Sequence, residues 1–137
     1  MIKIKKFKIN THSKKSGKLI PLNFNKKFPI KVKRIFLLYG KKNKIRGNHA
    51  HKNCSQLFIP LSGKFFLYAK TPNKNQKIIL SAGSKVAVLV PPKYWCSIKF
   101  LSVKSIMMVA CDKYYNPRDY ISNFDLYKKY LRKKWIF

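Results

Sequence analysis

The sequence predicts an all-β domain that ends in a single helix. Three observations support this class: short runs of alternating apolar and polar residues, turn-forming residues between the runs, and a helical apolar repeat only near the C-terminus. With 137 residues, the chain is long enough for one hydrophobic core and too short for two. We therefore expect residues 1–137 to form a single domain.

Ten runs have the length and composition of strands. They are Lys3–Ile9, Lys18–Phe24, Lys31–Leu38, Asn48–Lys52, Gln56–Leu61, Lys64–Ala69, Lys77–Leu80, Lys85–Val90, Cys96–Phe100 and Ser105–Ala110. Pro21 lies inside the second run and predicts an edge or a broken strand there. Ser62 and Gly63 separate the fifth and sixth runs as a hairpin turn would. Many short strands at this spacing are typical of a sandwich or a barrel.

The C-terminal part has a different pattern. Asn116 followed by Pro117 and Asp119 has the composition of a helix start. The apolar repeat Tyr120, Phe124, Tyr127, Leu131 behind it has helical spacing. We expect this helix to pack on the barrel or on a partner.

The net charge of +29 raises the question of nucleic-acid binding. The chain contains 28 lysines and only 4 arginines, however, and the lysines are spread along its whole length. Proteins that read bases or clamp phosphates favour arginine for its bidentate geometry. We therefore expect no nucleic-acid partner, although the basic surface would attract a diphosphate.

Acidic residues are nearly absent: the chain has three aspartates and no glutamate. This excludes oxygen-rich calcium and two-metal sites and disfavours paired-carboxylate chemistry. A general base is therefore expected to be one of the three histidines, His12, His49 and His51.

Two further observations concern the cellular compartment. Cys54, Cys96 and Cys111 are odd in number and form no CxxC pair, so they are expected to be buried free thiols. The longest apolar run, Val86–Pro92, is far too short to span a membrane, and the N-terminus lacks the pattern of a signal peptide. These features predict a cytoplasmic protein with no membrane association.

The segment Ile45–Lys52, which reads Ile-Arg-Gly-Asn-His-Ala-His-Lys, contains two of the three histidines. On a strand, residues two apart point to the same face, so His49 and His51 should project together and Ala50 should face the other way. Two imidazoles on the interior face of a barrel would be costly to bury without a function. This pair is the principal candidate for an active centre.

His49-x-His51, then Gln56 and Gly63, resembles the first cupin motif, which implies a cupin-type jelly-roll β-barrel with a C-terminal helix. The second cupin motif corresponds to Pro91-Pro92-Lys93-Tyr94-Trp95-Cys96. Gln56 stands where metal-binding cupins have glutamate, and Cys96 stands where they have histidine. A tightly bound transition metal is therefore not expected.

Among cupins, the chain resembles the dTDP-4-keto-6-deoxyglucose 3,4-ketoisomerases, the FdtA/QdtA-like or WxcM-like group. The resemblance rests on Arg46-Gly47-x-His49-Ala50-His51-Lys52, Gln56-Leu57, Leu61-x-Gly63, Pro92-x-x-Trp95, Met107-Met108-Val109-Ala110-x-Asp112, Tyr114 or Tyr115, and Asp119-Tyr120-Ile121. It implies a homodimeric, metal-independent and cofactor-free isomerase. Such an enzyme moves the ketone of a dTDP-4-keto-6-deoxyhexose from C4 to C3, for the synthesis of amino sugars of surface glycans such as the lipopolysaccharide O-antigen.

His49 and His51 are the predicted catalytic residues, because a histidine can both accept and donate a proton near neutral pH. The resemblance assigns the base to His49, whereas the spacing alone does not distinguish the two. The predicted substrate-binding residues are Arg46, Lys52, Gln56, Tyr39, Trp95 and Tyr94. Arg46 would hold the diphosphate, and Trp95 or Tyr94 would stack on the nucleotide base unless both belong to the core.

The chain departs from the family pattern at Phe36, Cys96 and Ser122, where a tyrosine, a histidine and an arginine are usual. Two alternatives follow. The chain could be a cupin that binds a sugar nucleotide without catalysis, or a metal-dependent small cupin that uses His49, His51 and Cys96.

Overall fold

The structure is a computed structural model that describes residues 1–135, with side chains described through residue 133. Its elements in chain order are β1 (Lys5–Lys8), β2 (His12–Lys14), β3 (Gly17–Leu19), β4 (Arg34–Gly40), β5 (Ile45–His51), β6 (Gln56–Ser62), β7 (Lys64–Thr71), β8 (Lys74–Ser81), β9 (Val86–Val90), β10 (Trp95–Phe100), β11 (Ser105–Cys111), β12 (Tyr120–Ile121) and α1 (Phe124–Trp135).

Two five-stranded antiparallel sheets form the body of the molecule. Sheet I has the spatial order β1-β9-β6-β11-β4, and sheet II has the order β12-β5-β10-β7-β8. The strands β2 and β3 form a separate small hairpin. The two large sheets share no ladder within the described residues, so the jelly roll is an open sandwich of two layers.

The inner faces of the sheets meet in one apolar core. Strands of sheet I contribute Phe58, Val88 and Val109 to it, and strands of sheet II contribute Leu67 and Ile98. These side chains recur at every second residue of their strands, which is why the alternation in the sequence predicted the fold.

Each sheet has a different cover on its outer face. Residues 20–32 form no strand, and their side chains Leu22, Phe28 and Ile30 pack on the outer face of sheet I. On sheet II, α1 packs Tyr127 against Trp95. The Tyr127 hydroxyl donates to the carbonyls of Lys70 (3.1 Å) and Lys93 (2.7 Å), which ties the helix to the sheet.

The predicted class, an all-β cupin-type jelly roll with a C-terminal helix, is confirmed. The predicted strand Lys18–Phe24 is wrong beyond Leu19, because the following residues leave the hairpin to cover sheet I. The short strands β2 and β12 were not predicted.

The predicted helix start at Asn116 is also wrong. Asn116 caps a single 3₁₀ turn, Pro117–Asp119, and Tyr120–Ile121 then pairs with β5 as a strand. The helix begins at Phe124, where the Asn123 side chain accepts from the Leu126 backbone N–H at 3.0 Å. The pairing with β5 thus takes priority over the local helix signal.

In the described part of the chain, no helix has the length and apolar character needed to cross a membrane.

Candidate active site

A cavity of about 310 Å³ opens between the two sheets. Its lining comes from both sheets and consists of Arg34, Phe36, Leu38, Arg46, Gly47, His49, Gln56, Phe58, Cys96, Ser97, Ile98 and Tyr120. The apolar members form the deep walls of the sandwich, so the few polar groups among them define where a ligand can be held.

A bulge in β5 determines which of its side chains reach the cavity. Along β10, Cys96 pairs with His49 and the next residue, Ser97, pairs with Gly47, so Asn48 is the extra residue. Gly47 (φ +100°) and Asn48 (φ +61°) both adopt positive φ, and a Cβ on Gly47 would lie 2.9 Å from the Cys96 carbonyl oxygen. Arg46 and His49 are three residues apart and would face opposite sides of a regular strand. The bulge brings both to the cavity.

His51 forms a buried dyad with Asp119. His51 Nδ1 lies 2.8 Å from Asp119 Oδ2, and the Asn53 backbone N–H donates to Asp119 Oδ1 at 2.7 Å. Because a carboxylate only accepts hydrogen bonds, Nδ1 bears the proton and Nε2 is left with a free lone pair. Nε2 is buried and has no partner among the residues whose side chains are described. A buried unpaired nitrogen is expected to have a function or a missing ligand.

His49 lies beside this dyad and lines the cavity. The ring centroids of His49 and His51 are 5.3 Å apart, and Tyr120 contacts both rings, at 5.1 Å and 4.3 Å. Burial lowers the pKa of His49, and the neighbouring His51 lowers it further. Burial also lowers the pKa of His51, although the hydrogen bond to Asp119 acts in the opposite direction. Both imidazoles are therefore neutral at neutral pH and able to accept a proton.

Arg34 is the cation of the opposite wall, and the sequence analysis did not identify it. It lies on β4 with Phe36 and Leu38, the strand positions that face the cavity. Its Nη2 donates to the Tyr120 hydroxyl at 3.2 Å and to Cys111 Sγ at 3.7 Å. Its Nε is buried without a partner among the described residues. The sequence did contain one sign of this role. Arg34 precedes Phe36 and Leu38 at alternating positions of β4, and the other two residues that face the cavity there are apolar.

The predicted site residues fall into two groups. The structure brings Arg46, His49 and Gln56 together in the cavity lining, and His51 lies directly behind His49 and Tyr120. Gln56 donates to Cys111 Sγ at 3.8 Å.

Four predicted substrate-binding residues lie outside this cavity. Tyr39 is on the outer, exposed face of β4, an odd number of residues from Arg34, so strand alternation turns it away. Tyr94 is in the core, and its hydroxyl donates to the Ile2 carbonyl at 2.9 Å. Trp95 packs under α1, 5.2 Å from the Phe124 ring. Lys52 follows the end of β5 and approaches the Tyr130 ring at 5.8 Å. None of these four side chains lines this cavity in the described structure, and their assignment to substrate binding stays a prediction.

One group of side chains has the spacing of metal ligands: His51, Cys54 and Asp119, whose ligand atoms all lie within 4.8 Å of one another. Within this group, His51 Nδ1 and Asp119 Oδ2 already bond each other at 2.8 Å. The hydrogen bond to Cys111, together with burial, raises the pKa of Cys54, so its thiol keeps its proton. The alternative metal set, His49, His51 and Cys96, includes a thiol whose pKa burial raises to about 12. In the absence of a metal, the Cys96 thiol therefore keeps its proton at neutral pH.

The cavity and the side chains directly behind it thus provide neutral histidines for proton transfer, a carboxylate that orients one of them, and arginines that attract an anion. A jelly roll with this site defines a small cupin equipped for acid–base chemistry on an anionic ligand. The chain belongs to the FdtA family (WxcM-like, C-terminal), whose model matches residues 1–132. This confirms the resemblance found in the sequence.

Individual relatives agree with the family assignment. A TDP-4-oxo-6-deoxy-alpha-D-glucose-3,4-oxoisomerase of Aneurinibacillus thermoaerophilus is 33% identical over 118 residues, which cover 85% of this chain and 84% of the relative. The sugar 3,4-ketoisomerase QdtA of Thermoanaerobacterium thermosaccharolyticum, solved with TDP, superposes with a TM-score of 0.87 at 26% identity and covers 96% of both chains. The TDP-quinovose 3,4-ketoisomerase WlaRB of Campylobacter jejuni has a TM-score of 0.83 at 26% identity, covering 94% of this chain and 99% of its own.

Proposed function

We propose that the chain is a sugar-nucleotide 3,4-ketoisomerase that moves the ketone of a TDP-linked 4-keto-6-deoxyhexose from C4 to C3. The observation that carries this proposal is the His51–Asp119 dyad, whose unpaired Nε2 lies next to a second neutral histidine at the cavity. The relatives, which are named as isomerases of this kind, support the same class of reaction.

The reaction needs one proton removed from C3 and one delivered to C4. Loss of the C3 proton gives an enediolate. Protonation at C4, with transfer of the O3 hydroxyl proton to O4, then leaves a ketone at C3 and a hydroxyl at C4. The reaction is therefore redox-neutral overall and needs only groups that accept and donate protons, which two neutral histidines provide.

We assign the base to His51, which reverses the assignment made from the resemblance. A carboxylate partner fixes the tautomer and stabilises the imidazolium that forms when Nε2 accepts a proton, and Asp119 gives this partner to His51. His49, at the cavity surface, is then the group that exchanges the second proton. The Tyr120 ring packs against His51 at 4.3 Å with a tilt of 57°, and we expect the Tyr120 ring to turn so that the buried Nε2 can reach the substrate.

The binding residues follow from their positions. Arg46 is exposed at the cavity and suits the diphosphate, which needs charge and stays accessible to water. Gln56 and Ser97 offer neutral hydrogen-bonding groups for the sugar. The Ser97 hydroxyl donates to the Asn48 side chain at 2.6 Å, so the bulge also fixes this group.

The test is incubation of the purified protein with TDP-4-keto-6-deoxyglucose in deuterated water, followed by NMR. We expect a 3-keto product with deuterium next to the carbonyl, because a histidine proton exchanges with water whenever the site opens. Tight binding of TDP without any conversion would instead favour the non-catalytic cupin. Activity that is lost on chelation and restored by added metal would favour the metal-dependent one.

Three finer points belong to the proposal. We expect a homodimer, and the row Ile35, Leu37 and Tyr39, exposed on the edge strand β4, supports an apolar contact between copies. Light scattering at micromolar concentration tests it, and Leu37→Lys should shift the protein toward monomer.

A charged nucleotide sugar does not cross membranes unaided, which supports a cytoplasmic location. The use of the product in amino-sugar and glycan synthesis stays a prediction.

A further inference from the structure

The sulfur of Cys111 is surrounded by hydrogen-bond donors. Arg34 Nη2 lies 3.7 Å from it and Gln56 Nε2 lies 3.8 Å from it. The Cys54 thiol donates to the Ser55 carbonyl at 3.3 Å, and its interaction with Cys111 shifts the pKa of both thiols. A guanidinium and an amide NH₂ can only donate, so at least two neighbours require Cys111 to accept.

The position of this cluster links it to the cavity. In the sheet, Cys111 of β11 pairs with Arg34 on one side and Gln56 on the other. Cys111 itself is fully buried, whereas Arg34 and Gln56 line the cavity. The sulfur therefore lies behind the wall and contacts the polar groups that form it.

We propose that Cys111 is a positioning residue that acts as a buried thiolate, holding the Arg34 guanidinium in the cavity wall where Arg34 stabilises the enediolate oxygens. The part about the enediolate rests on the proposed ketoisomerase function; the thiolate–arginine pair does not.

The charges around the sulfur support ionisation. The hydrogen bond from Cys54 lowers the pKa of Cys111, and those from Gln56 and Arg34 lower it further, against the opposing effect of burial. Burial would lower the pKa of Arg34, but its bonds to Tyr120 and Cys111 outweigh this and raise it. The other ionisable groups nearby are His51, whose pKa Arg34 lowers, and Asp112, which accepts from the Ser55 backbone N–H at 2.8 Å. The guanidinium is thus a cation within hydrogen-bonding distance of the sulfur, and a thiolate compensates its partly buried charge.

Arg34 is suited to the enediolate because it is restrained and still has a free donor. Cys111 and Tyr120 hold Nη2, and the Phe36 and Tyr115 rings each lie 5.3 Å from the guanidinium carbon. The Nε–H has no partner among residues 1–133, whose side chains the structure describes. Donors that are oriented before the reaction stabilise a developing negative charge more than mobile ones do.

The first experiment needs no substrate. The ultraviolet absorbance of a thiolate is followed while the whole protein is titrated from pH 5 to about pH 8, below the range in which tyrosines ionise. We expect one thiolate to form at a pH clearly below that of an ordinary thiol. The signal should be absent in Cys111→Ser and move to higher pH in Arg34→Gln, while Cys96→Ser keeps it. A wild-type protein with no thiolate over this range would overturn the proposal, whatever the enzyme's activity.

The second experiment compares two variants of equal shape and different charge, Cys111→Asp and Cys111→Asn. We expect the aspartate variant to keep kcat within about tenfold of the wild type and the asparagine variant to lose at least a further tenfold, with KM changing less in both. Equal kcat values in two folded variants would overturn the positioning role. If neither folds, the Arg34→Lys variant decides: it keeps the charge but loses the fork, so kcat should fall at least tenfold, and an unchanged kcat would overturn the role of Arg34.

The two proposals fail in different ways. Absence of turnover by the wild type refutes the ketoisomerase function and with it the enediolate role. The thiolate–arginine pair would still be tested independently, by the ultraviolet titration of the wild type and of Arg34→Gln.

Discussion

The two walls of the cavity differ in how the sequence builds them. On sheet II, Arg46, His49 and His51 come from one strand of seven residues, and a single bulge sets their directions. On sheet I, the polar cluster joins Arg34 to Cys111, 77 residues away in the chain, and Cys111 to Gln56, 55 residues away. The first wall is a local motif, and the second exists only after three strands have paired.

The walls also differ in chemistry. Sheet II provides the groups that gain and lose protons, and sheet I provides fixed donors and a charge. If this division holds, substitutions of the histidines of sheet II should abolish proton transfer, whereas Arg46→Ala at the cavity rim and Gly47→Ala in the bulge should act on binding and on stability.

The largest effect is expected for His51→Asn. Loss of the base should lower kcat by about two to four orders of magnitude, with a smaller change in KM. His49→Asn should also lower kcat, by less, and Asp119→Asn should lower it because the dyad loses its carboxylate. The measurement is NMR of the sugar product, with His12→Asn on the exposed strand β2 as the control that stays active. Near-normal turnover in the double His49→Asn, His51→Asn variant would refute the assignment.

A smaller effect, on binding, is expected for Arg46→Ala. The diphosphate does not change during the reaction, so losing its partner should weaken TDP binding about 10- to 100-fold and change kcat much less. Calorimetry at fixed ionic strength measures this, because a protein of net charge +29 attracts any anion at low salt. Lys44→Ala, just before β5 and outside the cavity lining, is the matched control. If both variants weaken binding equally, Arg46 contributes only general charge.

The bulge predicts an effect on stability. Gly47→Ala should lower the free energy of unfolding by about 1–3 kcal/mol, because the residue has positive φ and its Cβ would meet the Cys96 carbonyl. Gly83→Ala is the control, since a Cβ there meets nothing within 4 Å and its φ is ordinary. Chemical denaturation compares the two; equal stabilities would mean that the bulge is not under constraint.

The smallest effect is the pH dependence of stability. The pKa values of His49 and His51 are lowered in the folded state, so the unfolded state takes up protons first as the pH falls through 6.5. The free energy of unfolding should therefore be highest above pH 7.5 and decrease as the pH falls from there toward 5. This decrease should be smaller than the decrease in the free energy of unfolding caused by Gly47→Ala. Thermal melts should show a shallower decrease in the double His49→Asn, His51→Asn variant and an unchanged one in His12→Asn. A stability that rises on acidification would contradict the buried, neutral state of the pair.

Much of the fold was predictable because strand alternation records which face is buried. The runs from Gln56 to Val90 begin and end within a few residues of the observed strands β6 to β9. The predictions that were wrong depended on contacts between residues distant in the sequence. Tyr120–Ile121 forms a strand because it pairs with β5. Residues 20–24 leave the hairpin because their apolar side chains pack on the outer face of sheet I.

The site follows the same rule. The His49-x-His51 spacing predicted the correct face, since Ala50 packs under α1 on the other side. Asp119 and Arg34 were missed as site residues, because their partners His51 and Tyr120 are 68 and 86 residues away. One signal was available for Asp119: in a chain with three acidic residues, a carboxylate next to the predicted β-core needs a partner.

The single extra residue in β5, Asn48, also determines which face of the strand carries Arg46. Two side chains on a regular strand share a face when an even number of positions separates them. Asn48 adds one position between Arg46 and His49, and the bulge at Asn48 keeps both side chains on the same face. Removing Asn48 would leave His49 and His51 facing inward while turning Arg46 to the outside, and Ser97 would lose its hydrogen-bond partner. The length of this strand therefore encodes whether the proton-transfer groups and the anion-binding group share one cavity.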